Sequence, residues 1–308
     1  MRELVSIKPN QYYYRIEINP GNICNYKCPY CIEKSNMGPE YKWLDWKYLK
    51  LFCEDIISRN KDKKILFSLC NGGEPTLYPH IDDLLDILKD HTILLGSNGS
   101  RSIAWWDKHL DKIDDLAISC HYTQINKVEF LDKIKHISKR KTISVIMPLY
   151  SPVFWNQYKY AFKIIDTCDN VFISFKILVN KPFEPEYKYK EGQKEYFIKH
   201  SFLKSRNYDE SMKTKIDISC IKTYSDGSKE IDRPQLMIAK GENKFKGWKC
   251  WAGVDFMRVS PLGKLERCSI LGEGNIFDGY KIQTEPIICL RESCGCVPAI
   301  SVRKERVD

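Results

Sequence analysis

Short apolar segments alternate with longer amphipathic segments through the first 180 residues of the chain. The apolar segments have the length and composition of buried strands, and we predict six, at residues 13–18, 64–70, 92–96, 115–119, 142–147 and 171–178. The amphipathic segments predict five intervening helices, at residues 43–60, 81–89, 103–110, 128–139 and 156–167. This order is typical of βα units in a parallel sheet of the α/β class.

The pattern changes after residue 180. Residues 181–193 are rich in proline, glutamate, lysine and tyrosine and show little periodicity, which is typical of a linker or lid. A hairpin is predicted next, with strands at 216–224 and 229–231 around a turn at 225–228. We therefore divide the chain into a core domain at 1–180, a linker or lid region at 181–245 and a small C-terminal domain at 246–308.

Three cysteines follow the first predicted strand with the spacing C-x3-C-x2-C: Cys24, Cys28 and Cys31. An ordinary cubane iron–sulfur cluster uses four cysteines, so three thiolates would leave one iron open to an outside ligand. The run lacks the second C-x2-C pair that completes a typical zinc site. A disulfide scaffold would require a secreted context, and the N-terminus has no apolar signal core.

The second predicted strand ends in the turn Gly72-Gly73-Glu74-Pro75. Two glycines let the backbone come close to a ligand, and Glu74 supplies an acceptor for an ammonium group. In parallel barrels, ligands bind at the carboxyl ends of the strands. The turn and the cysteine run both follow strands, so we expect them at the same edge of the sheet.

The cysteine run together with the Gly-Gly-Glu turn resembles the radical S-adenosylmethionine (SAM) superfamily. The resemblance implies a partial (β/α)6 TIM-like barrel, a 4Fe–4S cluster on Cys24, Cys28 and Cys31, and SAM chelated to the open iron. It also implies that one electron cleaves SAM to methionine and a 5′-deoxyadenosyl radical, which abstracts hydrogen from an unactivated C–H bond. An external one-electron reductant such as flavodoxin or ferredoxin is then expected.

The same resemblance assigns roles to residues at the strand ends. Cofactor contacts are implied for Gly72, Gly73 and Glu74 with the SAM amino group, Ser97 and Asn98 with the ribose, Ser119 with SAM or substrate, and Tyr30 with adenine. His121 is a candidate catalytic residue, with a surface-loop histidine as the alternative. Cys120 is a second candidate, with Cys220 as the alternative, because some family epimerases return hydrogen to the substrate from a thiol.

Five more cysteines occur near the C-terminus: Cys250, Cys268, Cys289, Cys294 and Cys296. The first two, in the pattern C-x12-G-x4-C, resemble the opening of the family's auxiliary-cluster domains, called twitch or SPASM, which implies a small domain of a β-hairpin plus a helix. A second hairpin is predicted there, with strands at 256–259 and 265–268 and Gly263 in a turn conformation that other residues resist. Five cysteines suffice for one second 4Fe–4S cluster but not for two. We assign Cys250 and Cys268 as ligands, with two of the last three, whose choice stays open. A structural zinc site is the alternative.

Composition limits the classes of partner. The net charge of +9 comes from scattered lysines without a long basic block, so nucleic-acid binding is not expected, although an anionic small molecule is favoured. No uninterrupted apolar run reaches the length of a membrane span. Thirteen cysteines without a secretion signal indicate a cytoplasmic, reducing compartment.

The substrate is the least constrained feature. We predict oxidation, epimerisation or dehydration of a carbohydrate-like or nucleotide-linked small molecule. A peptide-modifying epimerase or cross-linking enzyme is the alternative within the superfamily. A non-catalytic iron–sulfur electron carrier or sensor and an RNA-modifying enzyme are alternatives of other classes.

Overall fold

The computed structural model describes residues 2–31, 42–70, 72–178, 187–209, 212, 216–268 and 271–307. The seventeen strands among these residues are β1 Leu4–Pro9, β2 Tyr14–Ile18, β3 Ile65–Leu69, β4 Thr92–Ser97, β5 Asp115–Ser119, β6 Ile143–Leu149, β7 Val171–Ile177, β8 Phe202–Lys204, β9 Cys220–Tyr224, β10 Lys229–Asp232, β11 Lys249–Cys250, β12 Phe256–Val259, β13 Lys264–Cys268, β14 Leu271–Asn275, β15 Gly279–Tyr280, β16 Ile287–Ile288 and β17 Lys304–Glu305. The eight described α-helices are α1 Trp46–Arg59, α2 Ile81–Leu88, α3 Ile103–His109, α4 Lys127–Ser138, α5 Phe154–Thr167, α6 Gln193–Lys199, α7 Pro234–Lys240 and α8 Val297–Ser301.

The larger sheet has eleven strands in the order β15-β14-β13-β12-β2-β3-β4-β5-β6-β7-β8. Strands β2 to β7 are parallel neighbours in chain order, and helices α1 to α5 connect them. All six predicted strands and all five predicted helices are confirmed, with ends that differ by at most three residues. The core is therefore a partial (β/α)6 TIM-like barrel, as predicted.

Side-chain alternation along the barrel strands separates two environments. On β7, Phe175 is buried and stacks on Tyr158 of α5, with ring centroids 4.0 Å apart. Its neighbours Ser174 and Lys176 are only partly buried and point to the opposite face, which lines the barrel interior. The apolar face of the sheet therefore packs on the helices, and a polar face is left for a site.

Local capping explains where the helices begin. The side chain of Asn126 accepts hydrogen bonds from the backbone N–H groups of Val128 and Glu129 at the start of α4. Asp45 and Ser102 cap α1 and α3 in the same way. Such caps satisfy backbone donors that have no partner within the helix.

The smaller sheet has six strands in the order β10-β9-β1-β17-β11-β16. The predicted hairpin after residue 216 is confirmed as β9 and β10, with Gly227 at φ +80° in its turn. Sheet pairing joins this hairpin to the N-terminal strand β1 and, through β17, to the C-terminal region. The three-part division of the chain stays a prediction, and residues 181–186, 210–211 and 213–215 of the predicted linker or lid region lie outside the described residues.

The second predicted hairpin, β12–β13, is also confirmed. Strand β12 pairs in parallel with β2, with Arg258 opposite Glu17, so it extends the barrel sheet at its first edge. The turn of this hairpin contains Gly263 at φ +75°, as the sequence required of a glycine there. The C-terminal cysteines are thereby held beside the barrel strands. No helix of the described residues is long and apolar enough to cross a membrane.

Candidate active site

The predicted cysteine run lies in the loop after β2, at the carboxyl end of a barrel strand. Cys24 and Cys28 are partly buried, Cys31 is exposed, and all three are free thiols. The sulfur of Cys24 accepts a hydrogen bond from the backbone N–H of Tyr26 at 3.3 Å and another from the side-chain amide of Asn98 at 3.7 Å. Donors of this kind favour a thiolate, which is the form that binds metal.

The three thiols act on one another electrostatically. Burial, followed by the neighbouring Cys31 and Cys24 thiols, raises the pKa of Cys28 to about 12. Burial also raises the pKa of Cys24, and Cys31 again contributes. Without a metal, Cys24 and Cys28 are therefore protonated at neutral pH. A metal centre must displace these protons, so its binding is favoured at higher pH.

Within the described part of the chain, no three His, Cys, Asp or Glu side chains converge as the ligands of one metal ion do. A zinc ion holds its thiolates at about 2.3 Å, which brings all of them to a single point. In a cubane, each thiolate binds a different iron. A cluster on Cys24, Cys28 and Cys31 therefore does not need the convergence that a single ion requires.

Gly72 and Gly73 adopt conformations that favour glycine, with φ of +59° and +92°. A Cβ on Gly73 would lie 2.5 Å from the carbonyl oxygen of Ile23, and one on Gly72 would lie 2.8 Å from Pro261 Cγ. The backbone N–H of Glu74 donates to the same Ile23 carbonyl at 2.8 Å. The turn is packed directly against the start of the cysteine loop, in a space that only glycine fits.

The carboxylate of Glu74 is fully buried and accepts four hydrogen bonds from the protein. Oε1 accepts from the backbone N–H of Thr76 at 3.1 Å, from Thr76 Oγ1 at 2.6 Å and from Ser97 Oγ at 2.7 Å. Oε2 accepts from the backbone N–H of Asn98 at 2.5 Å. Burial raises the pKa of Glu74, and these donors oppose the rise. Glu74 thus joins the ends of β3 and β4, while its predicted contact with the SAM amino group stays a prediction.

Ser97 and Asn98 lie beside the cysteine loop, where the sequence predicted cofactor contacts. Ser97 Oγ also accepts from the backbone N–H of Gly99 at 3.0 Å. The side-chain amide of Asn98 donates to Asn25 Oδ1 at 2.8 Å, in addition to its contact with Cys24. The structure therefore brings both residues to the site, and their contact with a ribose stays a prediction.

An aromatic cluster covers the same edge of the barrel. Tyr30 Oη and His121 Nδ1 lie 3.1 Å apart, and the two rings stack with centroids 6.0 Å apart. Tyr150 packs on the other side of Tyr30 at 5.3 Å, and Tyr26 meets His121 edge-on at 5.9 Å. His121 is therefore packed within this cluster and is not a solvated histidine in a surface loop.

Ser119 and Cys120, at the end of β5, lie in different surroundings. Ile118 is buried among the helices, so Ser119 faces the barrel interior and Cys120 returns to the apolar side. Cys120 has no exposed surface and belongs to the hydrophobic core. The structure brings Ser119 to the interior and buries Cys120 in the core within electrostatic range of Tyr26 and Tyr30. The catalytic role of Cys120 stays a prediction.

Lys176 extends from β7 into the barrel interior, near the aromatic cluster. Burial, and then the positive charge of Lys176, lower the pKa of His121 to about 4. Burial and then the charge of Glu17 raise the pKa of Cys70, just after β3, while the charges of Arg15 and Lys176 oppose this rise. No carboxylate within the described ranges pairs with the Lys176 ammonium. The ammonium group of Lys176 therefore acts on residues at the ends of both β3 and β5.

The five C-terminal cysteines line one cavity. Its other lining residues include Ala252, Ile287, Ala299 and Lys304. The backbone of Cys294 is fixed by two hydrogen bonds of 2.8 Å with Asn243. All thirteen cysteines of the chain are free thiols, so no disulfide occupies these residues. The structure thus gathers residues that are 46 positions apart in the sequence, as the auxiliary-site prediction requires.

The fifth of these cysteines has different neighbours. Burial raises the pKa of both Cys294 and Cys296. The thiols of Cys250 and Cys289 add to the rise for Cys294. For Cys296, Glu17 and then Cys294 add to the rise, and Arg258 opposes it. Glu17 and Arg258 lie on the barrel strands β2 and β12. Cys296 therefore lines the cavity with the other four cysteines and also lies within electrostatic range of the barrel residues Glu17 and Arg258.

Two residues of these sites were not assigned a role from the sequence. Tyr150 follows the last residue of β6, but the predicted strand ended two residues before the observed end, so the strand-end rule did not reach it. Lys304 carries no sequence signal, because its position beside Cys250 depends on the pairing of β17 with β11. A longer predicted strand at β6 could have identified Tyr150 as a strand-end residue, but no sequence pattern could have identified Lys304.

Comparisons with known proteins agree with this architecture. Residues 18–147 match the family model of the radical SAM superfamily. A Methanocaldococcus jannaschii protein, described as a candidate glycyl-radical enzyme activating enzyme, is 30% identical over 125 residues, which are 38% of this chain and 47% of the relative. The chain thus spans about half the length of this curated relative.

Two solved structures are also similar. SuiB of Streptococcus suis, solved with its precursor peptide SuiA, has a TM-score of 0.56 at 13% identity and covers 88% of this chain and 64% of that protein. BtrN, solved with AdoMet and 2-DOIA, has a TM-score of 0.44 at 12% identity and covers 88% and 80%. The likeness to SuiB shows a shared fold.

The fold and site define a partial parallel α/β barrel with a three-cysteine loop after its first strand. Residues 18–147, which match the radical SAM superfamily model, contain this loop and the Gly-Gly-Glu turn. The cofactors of that superfamily are a 4Fe–4S cluster and SAM.

Proposed function

We propose that this chain is an enzyme that uses SAM and a 4Fe–4S cluster on Cys24, Cys28 and Cys31 to abstract hydrogen from a small, anionic, carbohydrate-like molecule. The observation that carries this proposal is the close packing of the cysteine loop on the Gly72–Gly73 turn. A Cβ on Gly73 would lie 2.5 Å from the backbone of that loop. A carrier that bound only a cluster would not need this second loop with its glycine conformations.

The residues present fit the two groups that the superfamily uses. The loop offers three free thiols, and two N–H groups already donate to the sulfur of Cys24. When bound, these groups supply one electron and a 5′-deoxyadenosyl radical that takes hydrogen from substrate. The protein's part is to bind, orient and exclude water, because the cofactor carries the difficult chemistry.

The aromatic cluster supports the exclusion of water. The rings of Tyr30, Tyr150, Tyr26 and His121 pack together at the carboxyl edge of the barrel. His121 remains neutral at physiological pH because burial lowers its pKa to about 4. A neutral imidazole both donates and accepts a hydrogen bond, so it can orient a substrate hydroxyl without adding charge.

The barrel interior supports a polar, anionic substrate. Lys176 supplies a cation, and the serine side chains on the same face of the strands supply hydroxyls. The hydroxyl of Ser68, on β3, is buried and has no hydrogen-bond partner among the described residues. Because buried polar groups need partners, this surface suits a ligand rich in hydroxyl groups and bearing a carboxylate or phosphate. The net result at the reacting carbon would be oxidation, epimerisation or dehydration.

The C-terminal cavity supports a second, auxiliary 4Fe–4S cluster. We assign its ligands as Cys250, Cys268, Cys289 and Cys294, because the nearby carboxylate of Glu17 disfavours a thiolate at Cys296. A flavodoxin or ferredoxin would supply electrons, and the cytoplasm, where thirteen free thiols are stable, is the proposed compartment.

The first experiment is anaerobic reconstitution of the full chain, followed by dithionite and SAM, with 5′-deoxyadenosine as the readout. We expect 5′-deoxyadenosine from the wild type and none from Cys28→Ala. Cys168→Ala, which changes a buried core cysteine far from both sites in sequence, is the matched control and should retain the activity. Absence of 5′-deoxyadenosine from a wild type with an intact cluster would favour an electron carrier.

Substrate class needs a second experiment. Candidate sugars, sugar phosphates and nucleotide-linked sugars should increase the yield of 5′-deoxyadenosine, whereas precursor-like peptides should not. Stimulation by peptides alone would favour the peptide-modifying alternative. Tight polyanion binding with a steep dependence on salt would favour an RNA-modifying enzyme.

Iron and sulfide counts test the auxiliary site. About eight irons per chain indicate two cubanes, and about four indicate one. Cys294→Ser should lose the second cluster, while Cys296→Ser should retain both. If Cys296→Ser loses the cluster and Cys294→Ser keeps it, the assignment of ligands is wrong.

A further inference from the structure

Lys304 is a buried lysine beside the five-cysteine cavity. Its side chain is only 1% exposed, and it lines the cavity together with all five cysteines. On the paired strands β11 and β17, Lys304 is the direct partner of Cys250. Side chains of such partners stand on the same face of a sheet, about 5 Å apart at their Cβ atoms. The charge of Lys304 therefore lies beside a proposed metal ligand.

The ammonium group of Lys304 has hydrogen-bond partners but no counter-charge. Its Nζ donates to the backbone carbonyls of Ile300 and Val302 at 3.1 Å, and also to that of Ala299. Across the described ranges, no carboxylate forms an ion pair with it, and its nearest aromatic contact is the Phe245 ring, whose centroid lies 5.0 Å from Nζ. The adjacent residue Arg303 faces Asp255 instead, at 3.9 Å.

A buried charge without an opposite charge is costly, and proteins rarely retain one. Carbonyl groups solvate an ammonium group but do not neutralise it. An anion in the adjacent cavity would neutralise it, and four thiolates on a cubane carry a net negative charge.

We propose that Lys304 is the fixed counter-charge of the metal–thiolate group in the five-cysteine cavity and raises its reduction potential. This inference rests on the auxiliary cluster proposed above. Reduction adds one negative charge to a cluster, so a buried cation beside it favours the reduced form. Lys304 is thus a positioning residue that acts through the cluster and touches no substrate.

The test is a mediated redox titration of the reconstituted full chain, monitored by electron paramagnetic resonance. Lys304→Gln removes the charge and keeps N–H donors for the carbonyl groups. Lys304→Arg keeps both. Lys249→Met is the matched control, because Lys249 is also adjacent to Cys250 but is exposed on the opposite face of β11.

We expect Lys304→Gln to keep the wild-type iron content while the potential of the auxiliary cluster becomes more negative. The potential of the N-terminal cluster, and both potentials in Lys304→Arg and Lys249→Met, should stay at their wild-type values. An unchanged auxiliary potential in a Lys304→Gln protein that holds both clusters would overturn the inference and leave Lys304 with a purely structural role.

The test also separates this inference from the proposal beneath it. A wild type with about four irons per chain, or with zinc in the cavity, would refute the auxiliary cluster itself. If Lys304→Gln does not fold, the comparison of Lys304→Arg with wild type remains decisive, because a shift in its potential with the charge retained would contradict an electrostatic role.

Discussion

The backbone N–H of Asn98 donates a hydrogen bond of 2.5 Å to the carboxylate of Glu74, and so joins the ends of two neighbouring barrel strands. The side-chain amide of the same asparagine contacts Cys24 Sγ at 3.7 Å. A chain of polar contacts thus runs from the Gly-Gly-Glu turn to the first cysteine. Disturbing the acid should therefore affect the cysteine loop as well as local stability.

The substitution Glu74→Gln tests this connection. Its amide NH₂ would face donors that now meet a carboxylate oxygen, so at least one buried group would lose its partner. We expect the free energy of unfolding to fall by about 1–3 kcal/mol and SAM binding to weaken. Urea unfolding and SAM titration measure the two effects. Glu54→Gln on the exposed surface of α1 is the control, and an equal loss in both variants would contradict the connection.

The barrel strands could be predicted because each one carries its own signal. A segment such as Ile65–Leu69 is wholly buried, so it is apolar throughout, and its βα neighbours repeat the pattern. Strand β1 lacked such a signal. It pairs with β9 and β17, more than 200 residues away, and only that pairing determines that it is a strand.

The sequence predicted which residues form the site, but it could not predict which of them contact one another. The motif identified Glu74 as an acceptor, yet its acceptor sites are occupied by Thr76, Ser97 and Asn98, which the motif does not specify. The cysteine count predicted one auxiliary site. It could not separate Cys296 from Cys294, because the separation depends on Glu17 and Arg258 of the barrel.

Gly73 and Gly227 offer a matched pair for the second prediction. Both have positive φ, +92° and +80°, so alanine is strained at either position. A Cβ on Gly227 would meet nothing within 4 Å, whereas one on Gly73 would collide with the backbone of residues 22–23. We expect Gly227→Ala to cost about 1–2 kcal/mol of stability through backbone strain alone.

Gly73→Ala should cost more and should also displace the cysteine loop. Iron analysis after reconstitution is the second readout, with loss expected at the N-terminal site and retention at the C-terminal cavity. Equal stability losses with full iron content in both variants would mean that the turn does not support the loop.

The titration of His121 gives a third prediction. The folded protein keeps His121 neutral down to about pH 4, because burial and then Lys176 lower its pKa. The unfolded chain protonates a histidine near its ordinary pKa of about 6.5. Between these values the unfolded state binds more protons, so the contribution of His121 to stability is present above about pH 6.5 and is lost as the pH falls to about 4.

Urea unfolding of the cluster-free protein across this pH range measures the effect. His121→Gln should flatten the pH dependence, while His200→Gln, which changes an exposed histidine, should leave it unchanged. A histidine at position 121 that titrates near its ordinary value by NMR would contradict the burial inside the aromatic cluster.

Lys176 carries the prediction about substrate charge. If its ammonium group binds a phosphate or carboxylate, Lys176→Met should weaken an anionic ligand by about tenfold or more, since a hydrogen bond to a charged group contributes about 1.5–3 kcal/mol. Inorganic phosphate is a suitable probe, measured by isothermal titration calorimetry on the reconstituted protein. Lys176→Arg should retain part of the affinity, because it keeps the charge but changes the geometry of its donors. Lys163→Met, on the exposed surface of α5, is the matched control for net charge, and an equal loss of affinity in this variant would show that phosphate responds only to the overall charge of the protein.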